Sequence, residues 1–324
     1  MRLAFIVDPL SSLKIWKDSS FSMMAEAAAR GHELHVLMPE GVMWKGGHVI
    51  GEHMHITLSA DALQRGPGDK HPWYHAAPPS ESPLAEFDAV LMRQDPPFDI
   101  EYVTVTWLLE QAQREGARVF NDPRSVRDTS EKLGIAQFPE FTAPTMVTRL
   151  PGQIQTFIDQ HADVILKPLD GMGGQSIFRV TDNDPNRNVI IETLSAQGTR
   201  SIMAQRYIPE IRDGDKRILL IAGKPVPFSL ARIPKAGESR GNLAAGGTGV
   251  ARPLSQRDLE IANKLGPVLA ERGLLLVGLD VIGDYLTEVN CTSPTCFREI
   301  TDQTGFNVAG MFMDALETAC AGGK

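Results

Sequence analysis

Ile165-Leu166-Lys167-Pro168-Leu169-Asp170-Gly171-Met172-Gly173-Gly174-Gln175-Ser176 is the stretch on which the fold turns. An apolar run ends in a lysine, and a loop carrying three glycines follows at once. Backbone without Cβ atoms can close over phosphate oxygens and offer them its N–H groups. A strand-end lysine adds a mobile point charge for the same oxygens. In a Walker A loop the lysine follows the glycines, and no Gly-x-x-x-x-Gly-Lys-Ser/Thr occurs in this chain. A lysine ahead of the glycines points to a different nucleotide fold. The competing reading of this segment alone is a glycine-rich hairpin turn beside a surface lysine.

Working outward, strands are expected at 163–167 and 176–181 as an antiparallel pair, then a polar helix near 186–196 and a strand at 201–207. Arg217–Ile221 and Val226–Ala231 form a second hairpin about Ala222-Gly223-Lys224. Residues 233–249 hold five glycines and little periodicity, which suits a lid that excludes water. Ile261, Leu265, Val268 and Leu269 mark a helix that Gly273 ends, Leu275–Ile282 and Tyr285–Asn290 a last hairpin, and 305–320 a final helix.

Upstream, residues 2–7 read as a buried strand. Asp18 or Ser19 caps a helix carrying Phe21, Met24, Ala25 and Ala28, which Gly31 stops before a strand at Glu33–Met38. Further strands follow at Phe87–Met92 and Arg118–Phe120, with a helix between them whose face is marked by Ile100, Val103 and Trp107. This is a small α/β domain with a mainly parallel sheet. Residues 64–83, rich in Pro, Gly, His and Ser, read as an exposed loop, and His53, His55, His71 and His75 as solvated. Asp122-Pro123 opens a helix that carries Lys132. The expected division is an N-terminal domain at 1–122, one lobe at 123–200 and a second lobe at 201–324 that includes the 233–249 loop.

Of 324 residues, 22% are charged and 42% hydrophobic, ordinary for a globular protein, and the net charge of −8 argues against a nucleic-acid partner. No apolar run approaches the ~20 residues of a spanning helix, and the first residues lack a signal-peptide cleavage pattern, so no membrane role is expected. Three cysteines, Cys291, Cys296 and Cys320, argue against a disulfide framework and for the cytoplasm.

The last hairpin carries the second strong signal. Glu288 and Asn290 are two apart and share a strand face, and Asp280 interrupts the otherwise apolar partner strand. Oxygen donors on adjacent strands suit Mg²⁺, a hard ion shared with substrate phosphates. The alternative is a merely polar exposed strand. A two-residue turn at Gly283-Asp284 would put Asp280 on the face opposite Glu288, so the metal reading expects a three-residue loop that includes Tyr285. A spread of cations, Lys132, Lys167, Lys216, Arg217, Arg232 and Arg240, supplies what phosphoryl transfer needs, with Lys216 better read as a surface charge. No nucleophile elbow and no Cys–His pairing stand out, so covalent catalysis is not indicated.

Together these features resemble the ATP-grasp ligases. Several runs are similar to the bacterial glutathione synthetases: Asp18-Ser19-Ser20, Met92-Arg93-Gln94-Asp95-Pro96-Pro97-Phe98-Asp99, the Lys167–Gly174 segment, Ala231-Arg232-Ile233-Pro234, Arg240–Gly247 and Thr292-Ser293-Pro294-Thr295-Cys296. The match runs in order along nearly the whole chain. Gln94 and Thr248 depart from it, where a basic residue is expected, and the 64–83 loop has no counterpart.

The resemblance implies an N-terminal α/β domain followed by a two-lobed ATP-grasp fold with antiparallel sheets. It implies ATP as co-substrate with Mg²⁺, or Mn²⁺ in its place. Adenine would lie against Gln205, Arg206, Tyr207 and Ile208. Lys132, Lys167 and the Gly171, Met172, Gly173 and Gly174 loop would meet the phosphates, Asp215 the ribose, and Asp280, Glu288 and Asn290 the metal. Asp18, Ser19, Asn290, Ser293, Pro294 and Thr295 would line the peptide site, and Arg217, Arg232 and Arg240 would grip carboxylates and transition-state charge. The implied reaction joins γ-glutamylcysteine to glycine through an acyl phosphate, in a homo-oligomer, usually a tetramer. Another carboxylate–amine ligase of this fold, or a non-catalytic ATP-binding regulator, are the alternatives.

Overall fold

The computed structural model describes residues 1–69, 71–235, 241 and 246–322. Among these, no helix is long and apolar enough to cross a membrane.

The chain opens as β1 (Arg2–Ile6), α1 (Ser19–Ala29) and β2 (Glu33–Leu37). Asp18 caps α1 by accepting the Phe21 N–H, and Gly31 turns the chain at φ +79°. Then come β3 (Val42–Lys45), β4 (His48–Leu58), β5 (Tyr74–Ala76), β6 (Ser80–Pro83), β7 (Ala89–Met92), α2 (Ile100–Arg114) and β8 (Val119–Phe120). Strands β2, β1, β7 and β8 pair in parallel as expected. The sheet is nevertheless mixed, because β4 pairs antiparallel with β2, β3, β5 and β6.

Three expectations fail here. The 64–83 segment is only partly a loop: Trp73 packs edge-on against Phe21 at 5.3 Å, and β5 and β6 are edge strands on β4. Their outward residues are polar because an edge strand faces water, which hides them from a periodicity reading. His53, expected to be solvated, is buried, with its Nδ1 at 3.2 Å from His35 Nδ1. The helix at 100–114 is present, but its buried face is Tyr102, Val105, Thr106, Leu109 and Ala112, whereas Ile100 and Trp107 are 65% and 51% exposed.

After α3 (Pro123–Asp128) the chain enters a four-stranded antiparallel sheet ordered β11-β10-β12-β9. Its strands are β9 (Thr145–Thr148), β10 (Asp163–Pro168), β11 (Phe178–Thr181) and β12 (Ile202–Arg206), backed by α4 (Pro151–His161) and α5 (Arg187–Leu194). Lys132 lies not on a helix but just before a single 3₁₀ turn, since α3 stops at Asp128. This lobe has its own core around Ile154, Ile158, Leu166 and Ile202. Because β12 lies between β10 and β9, the lobe extends to Arg206, beyond the expected break at 200.

The remaining sheet is five-stranded, ordered β15-β14-β13-β16-β17. It comprises β13 (Asp215–Ile221), β14 (Lys224–Ile233), β15 (Thr248–Pro253), β16 (Leu276–Ile282) and β17 (Tyr285–Asn290), with α6 (Gln256–Glu271) beside it. The helix expected at 305–320 is α8 (Val308–Ala321), and an unexpected helix precedes it, α7 (Phe297–Thr304), which Gly305 ends at φ +74°. This lobe shares two cores with the N-terminal domain, one joining Val90 and Leu109 to Leu265 and Leu279 and the other Phe5 and Met24 to Phe297 and Phe312. The expected lid at 233–249, with Arg240, lies largely outside the described residues.

Candidate active site

One face of the five-stranded sheet is polar. Residues two apart on a strand share a face, and the register sets Asp215 opposite Arg232, Arg217 opposite Asp280, and Asp280 opposite Glu288. The turn between β16 and β17 is the two-residue Gly283-Asp284 kind, not the three-residue loop expected. Thr287 corrects the phase: it is the extra residue of a β-bulge, so Val281 faces Leu286 while Asp280 faces Glu288. The bulged carbonyl of Thr287 also accepts from Lys167 at 3.4 Å.

Both carboxylates are matched by paired cations. Arg217 Nε and Nη2 reach Asp280 at 2.5 and 3.1 Å, and Arg232 Nη2 reaches it at 2.8 Å. Burial alone would raise the Asp280 pKa, but the two guanidiniums outweigh it and hold the carboxyl well below its usual range. Glu288 lies 3.6 Å from Lys132 Nζ and 3.9 Å from Lys167 Nζ. Burial lowers the Lys167 pKa, with Glu288 opposing and Lys132 assisting. Lys132 also donates to the Gly171 carbonyl, tying itself to the glycine loop. Asp215 accepts from Arg232, yet its buried Oδ1 has no partner among the described residues, and burial pushes its carboxyl up to about 7.

Two pockets meet on this face. The first lies between the two antiparallel sheets and is lined by Lys132, Lys167, Gly171–Gly174, Gln205–Ile208, Asp215, Asp280 and Glu288. Every residue expected to meet the nucleotide is therefore brought together. Ile165, Ile177, Ile211 and Ile282 add apolar walls that the sequence reading missed, because an isoleucine on or beside a strand reads simply as core. The second pocket runs toward the N-terminal domain past Asp18, Arg217, Arg232, Asn290, Ser293, Pro294 and Thr295. Gly171, Met172, Gly173, Asp280 and Glu288 line both.

Ser19 does not join the second pocket. Its buried hydroxyl accepts the Phe297 N–H at 3.2 Å, holding the start of α7. Asp8, Lys14, Lys17, Asp95, Glu131 and Glu299 line the cleft and had no expected role. Asp95 lies within the quoted Met92–Asp99 run and accepts from the Ser293 hydroxyl, while the buried Arg93 donates to Pro294 O at 2.9 Å.

Among the described residues no group of three His, Cys, Asp or Glu could hold a metal. The expected set is instead two carboxylates and an amide. Asp280 and Glu288 face each other, and Asn290 lies two residues beyond Glu288 on the same face, with its amide donating to Gly278 O at 3.2 Å. These all-oxygen donors fit a hard divalent cation.

The family described as prokaryotic glutathione synthetase, N-terminal domain, matches residues 1–127, and its ATP-grasp domain matches residues 131–305. The glutathione synthetase of Ralstonia nicotianae is 62% identical over 98% of this chain and 96% of its own, and that of Vibrio parahaemolyticus 51% identical over 99% of each. Among solved structures, the D-cycloserine synthetase DcsG aligns with a TM-score of 0.66 at 15% identity, covering 99% of this chain and 100% of that one. The ATP-grasp ligase PsnB, complexed with precursor peptide PsnA2 and AMPPNP, aligns at 0.62 and 17% identity, covering 98% of each. At such identities the likeness concerns the fold alone.

Proposed function

The chain belongs to the prokaryotic glutathione synthetase family, and from that premise we infer how its own residues carry the reaction. The protein is an ATP-dependent ligase that joins γ-glutamylcysteine and glycine into glutathione. The observation that carries the assignment of residues is the junction of the two pockets at Gly171–Gly173, Asp280 and Glu288. A nucleotide in one pocket and a peptide carboxylate in the other come together only there.

In this reading Ile165, Ile177 and Ile282 enclose the adenine beside Gln205–Ile208, and Asp215 Oδ1, which has no partner among the described residues, accepts from a ribose hydroxyl. Lys132, Lys167 and the glycine-loop N–H groups hold the phosphates. The cysteinyl carboxylate oxygen attacks the γ-phosphorus, the bond to the β-phosphate oxygen breaks, and ADP leaves. The glycine nitrogen then attacks the acyl carbon of the acyl phosphate. Glycine attacks as the free amine, its ammonium proton having passed to water; phosphate departs, and the nitrogen loses one more proton to that phosphate or to water and keeps one as the amide N–H. Arg217 and Arg232, already paired with carboxylates, grip the peptide carboxylate and the tetrahedral oxyanion. The fold works with ATP and a divalent metal; we assign that metal to Asp280, Glu288 and Asn290, favour Mg²⁺ over Mn²⁺, and give it the task of neutralising phosphate charge. Arg240 lies outside the described residues and carries no step here.

We place the protein in the cytoplasm, where its three buried free cysteines stay reduced, and in a homotetramer. The exposed Ile100 and Trp107 on α2 support self-association.

The test supplies ATP, Mg²⁺, γ-glutamylcysteine and single amino acids and follows phosphate release. Release that depends on glycine is expected; its absence overturns the reading.

A further inference from the structure

The segment from Thr292 to Thr295, which follows the buried Cys291, lines the peptide cleft, yet side chains from outside it hold it. Glu131 Oε1 accepts three hydrogen bonds: from the Thr292 hydroxyl at 2.8 Å, the Cys291 N–H at 3.1 Å and the Thr292 N–H at 3.2 Å. The Glu131 carbonyl accepts the Val289 N–H at 2.8 Å. Further along, Asn121 donates to Cys291 O at 2.8 Å and Asp95 accepts from Ser293. Of these anchors, Glu131 is the one adjoining Lys132, whose ammonium reaches both the glycine loop and Glu288. Two consecutive residues thus touch the phosphate side and the peptide side of the site.

We propose that Glu131 is a positioning residue for the peptide substrate: through Thr292 it fixes the Cys291–Thr295 segment relative to Lys132, and so sets the distance between the reacting carboxylate and the transferred phosphoryl group. The inference rests on the glutathione synthetase reading. A buried N–H or hydroxyl that loses its acceptor costs the full desolvation of that group. Without Glu131, two backbone N–H groups and a hydroxyl lose their acceptor together, and the segment is free to shift. A shift of about 1 Å at a reacting pair costs up to ~100-fold in rate. Burial raises the Glu131 pKa while the Thr292 bonds lower it, as befits a carboxyl kept inside for its acceptor oxygens.

Steady-state kinetics on the full chain test this. Glu131→Ala should raise KM for γ-glutamylcysteine about tenfold or more and lower kcat, with KM for ATP within about twofold. Glu131→Gln, which keeps an acceptor oxygen, should recover most of the loss. Thr292→Val should move the same constants in the same direction by less, and Thr292→Ser should restore them; this pair decides alone if Glu131→Ala does not fold. A wild-type protein without glycine-dependent phosphate release defeats the functional reading. An active wild type whose Glu131 and Thr292 variants leave the peptide KM unchanged, or raise peptide and ATP KM together, overturns the inference.

Discussion

Asp280 sits directly across the β16–β17 ladder from Glu288, although the turn joining the strands has only two residues. The bulge at Thr287 makes this possible and at the same time turns a carbonyl to Lys167. Glu288→Ala should therefore all but abolish turnover with the fold retained, a loss of about a hundred- to a thousandfold, of the size found when a group that organises transition-state charge is removed. The variant also leaves Lys132 and Lys167 without their shared counter-ion. Calorimetric ATP titrations should thus show metal-dependent binding lost, while metal-free ATP binds as tightly as before or more tightly. Normal turnover would remove the metal from this position.

Gly278 keeps Arg217 in place. A Cβ at Gly278 would lie 2.8 Å from Arg217 Cδ and 3.0 Å from Pro294 Cβ, so alanine must displace the guanidinium or the peptide-side segment. We expect Gly278→Ala to reduce kcat/KM for γ-glutamylcysteine about tenfold while KM for ATP holds, since the first pocket does not include Gly278. Equal losses for both substrates would show that the strand itself had been disrupted.

Lys167 is buried between the sheets, and Lys167→Met removes a charge that water cannot replace. ATP affinity should fall about 10–100-fold, in keeping with the loss of a buried charge-assisted contact. Thermal midpoints without nucleotide should change little or rise, because burial disfavours the lysine charge.

Much of the site was legible because its chemistry is local. Lys167 with its glycines and the Asp280–Glu288–Asn290 pattern are contiguous strings whose strands could be phased by period two. Harder to read were features set by tertiary register. The Thr287 bulge leaves no mark in composition, so the two-residue turn looked incompatible with a shared face. Ser19 resembled a substrate ligand because it follows Asp18, but its direction depends on where α7 packs. Glu131 and Asp95 act on a segment about 160 and 200 residues away, a relation that spacing cannot reveal. In the fold, β5 and β6 escaped notice because edge strands lack a buried face, and β12 was assigned to the wrong lobe because pairing order is not sequential.

The α2 face marked by Ile100, Val103 and Trp107 gives a prediction of its own. Ile100 and Trp107 are exposed in the single chain, whereas an apolar stripe of this kind is normally covered. Trp107→Glu should shift the protein to a smaller assembly by light scattering coupled to size exclusion, with secondary structure unchanged. An unaltered mass would place the assembly surface elsewhere.

The His35–His53 pair makes stability depend on pH. Their Nδ1 atoms are 3.2 Å apart, His53 Nε2 lies 3.1 Å from Ser82 Oγ, and Phe87 packs against both rings. Arg2 and His55 add positive potential around His35, which the nearby Glu33 only partly offsets. Burial is the largest cause and takes His35 down to about 4; it lowers His53 too. A depressed folded pKa means that the unfolded chain binds protons first. The contribution is therefore complete above the ordinary histidine value of about 6.5 and is lost as pH falls from there toward 4. Urea midpoints at pH 8, 6 and 4.5 should show a gap between wild type and His35→Gln that narrows with acidity, because the variant has no imidazole to protonate. A gap independent of pH would mean that the pair is not held neutral by the fold.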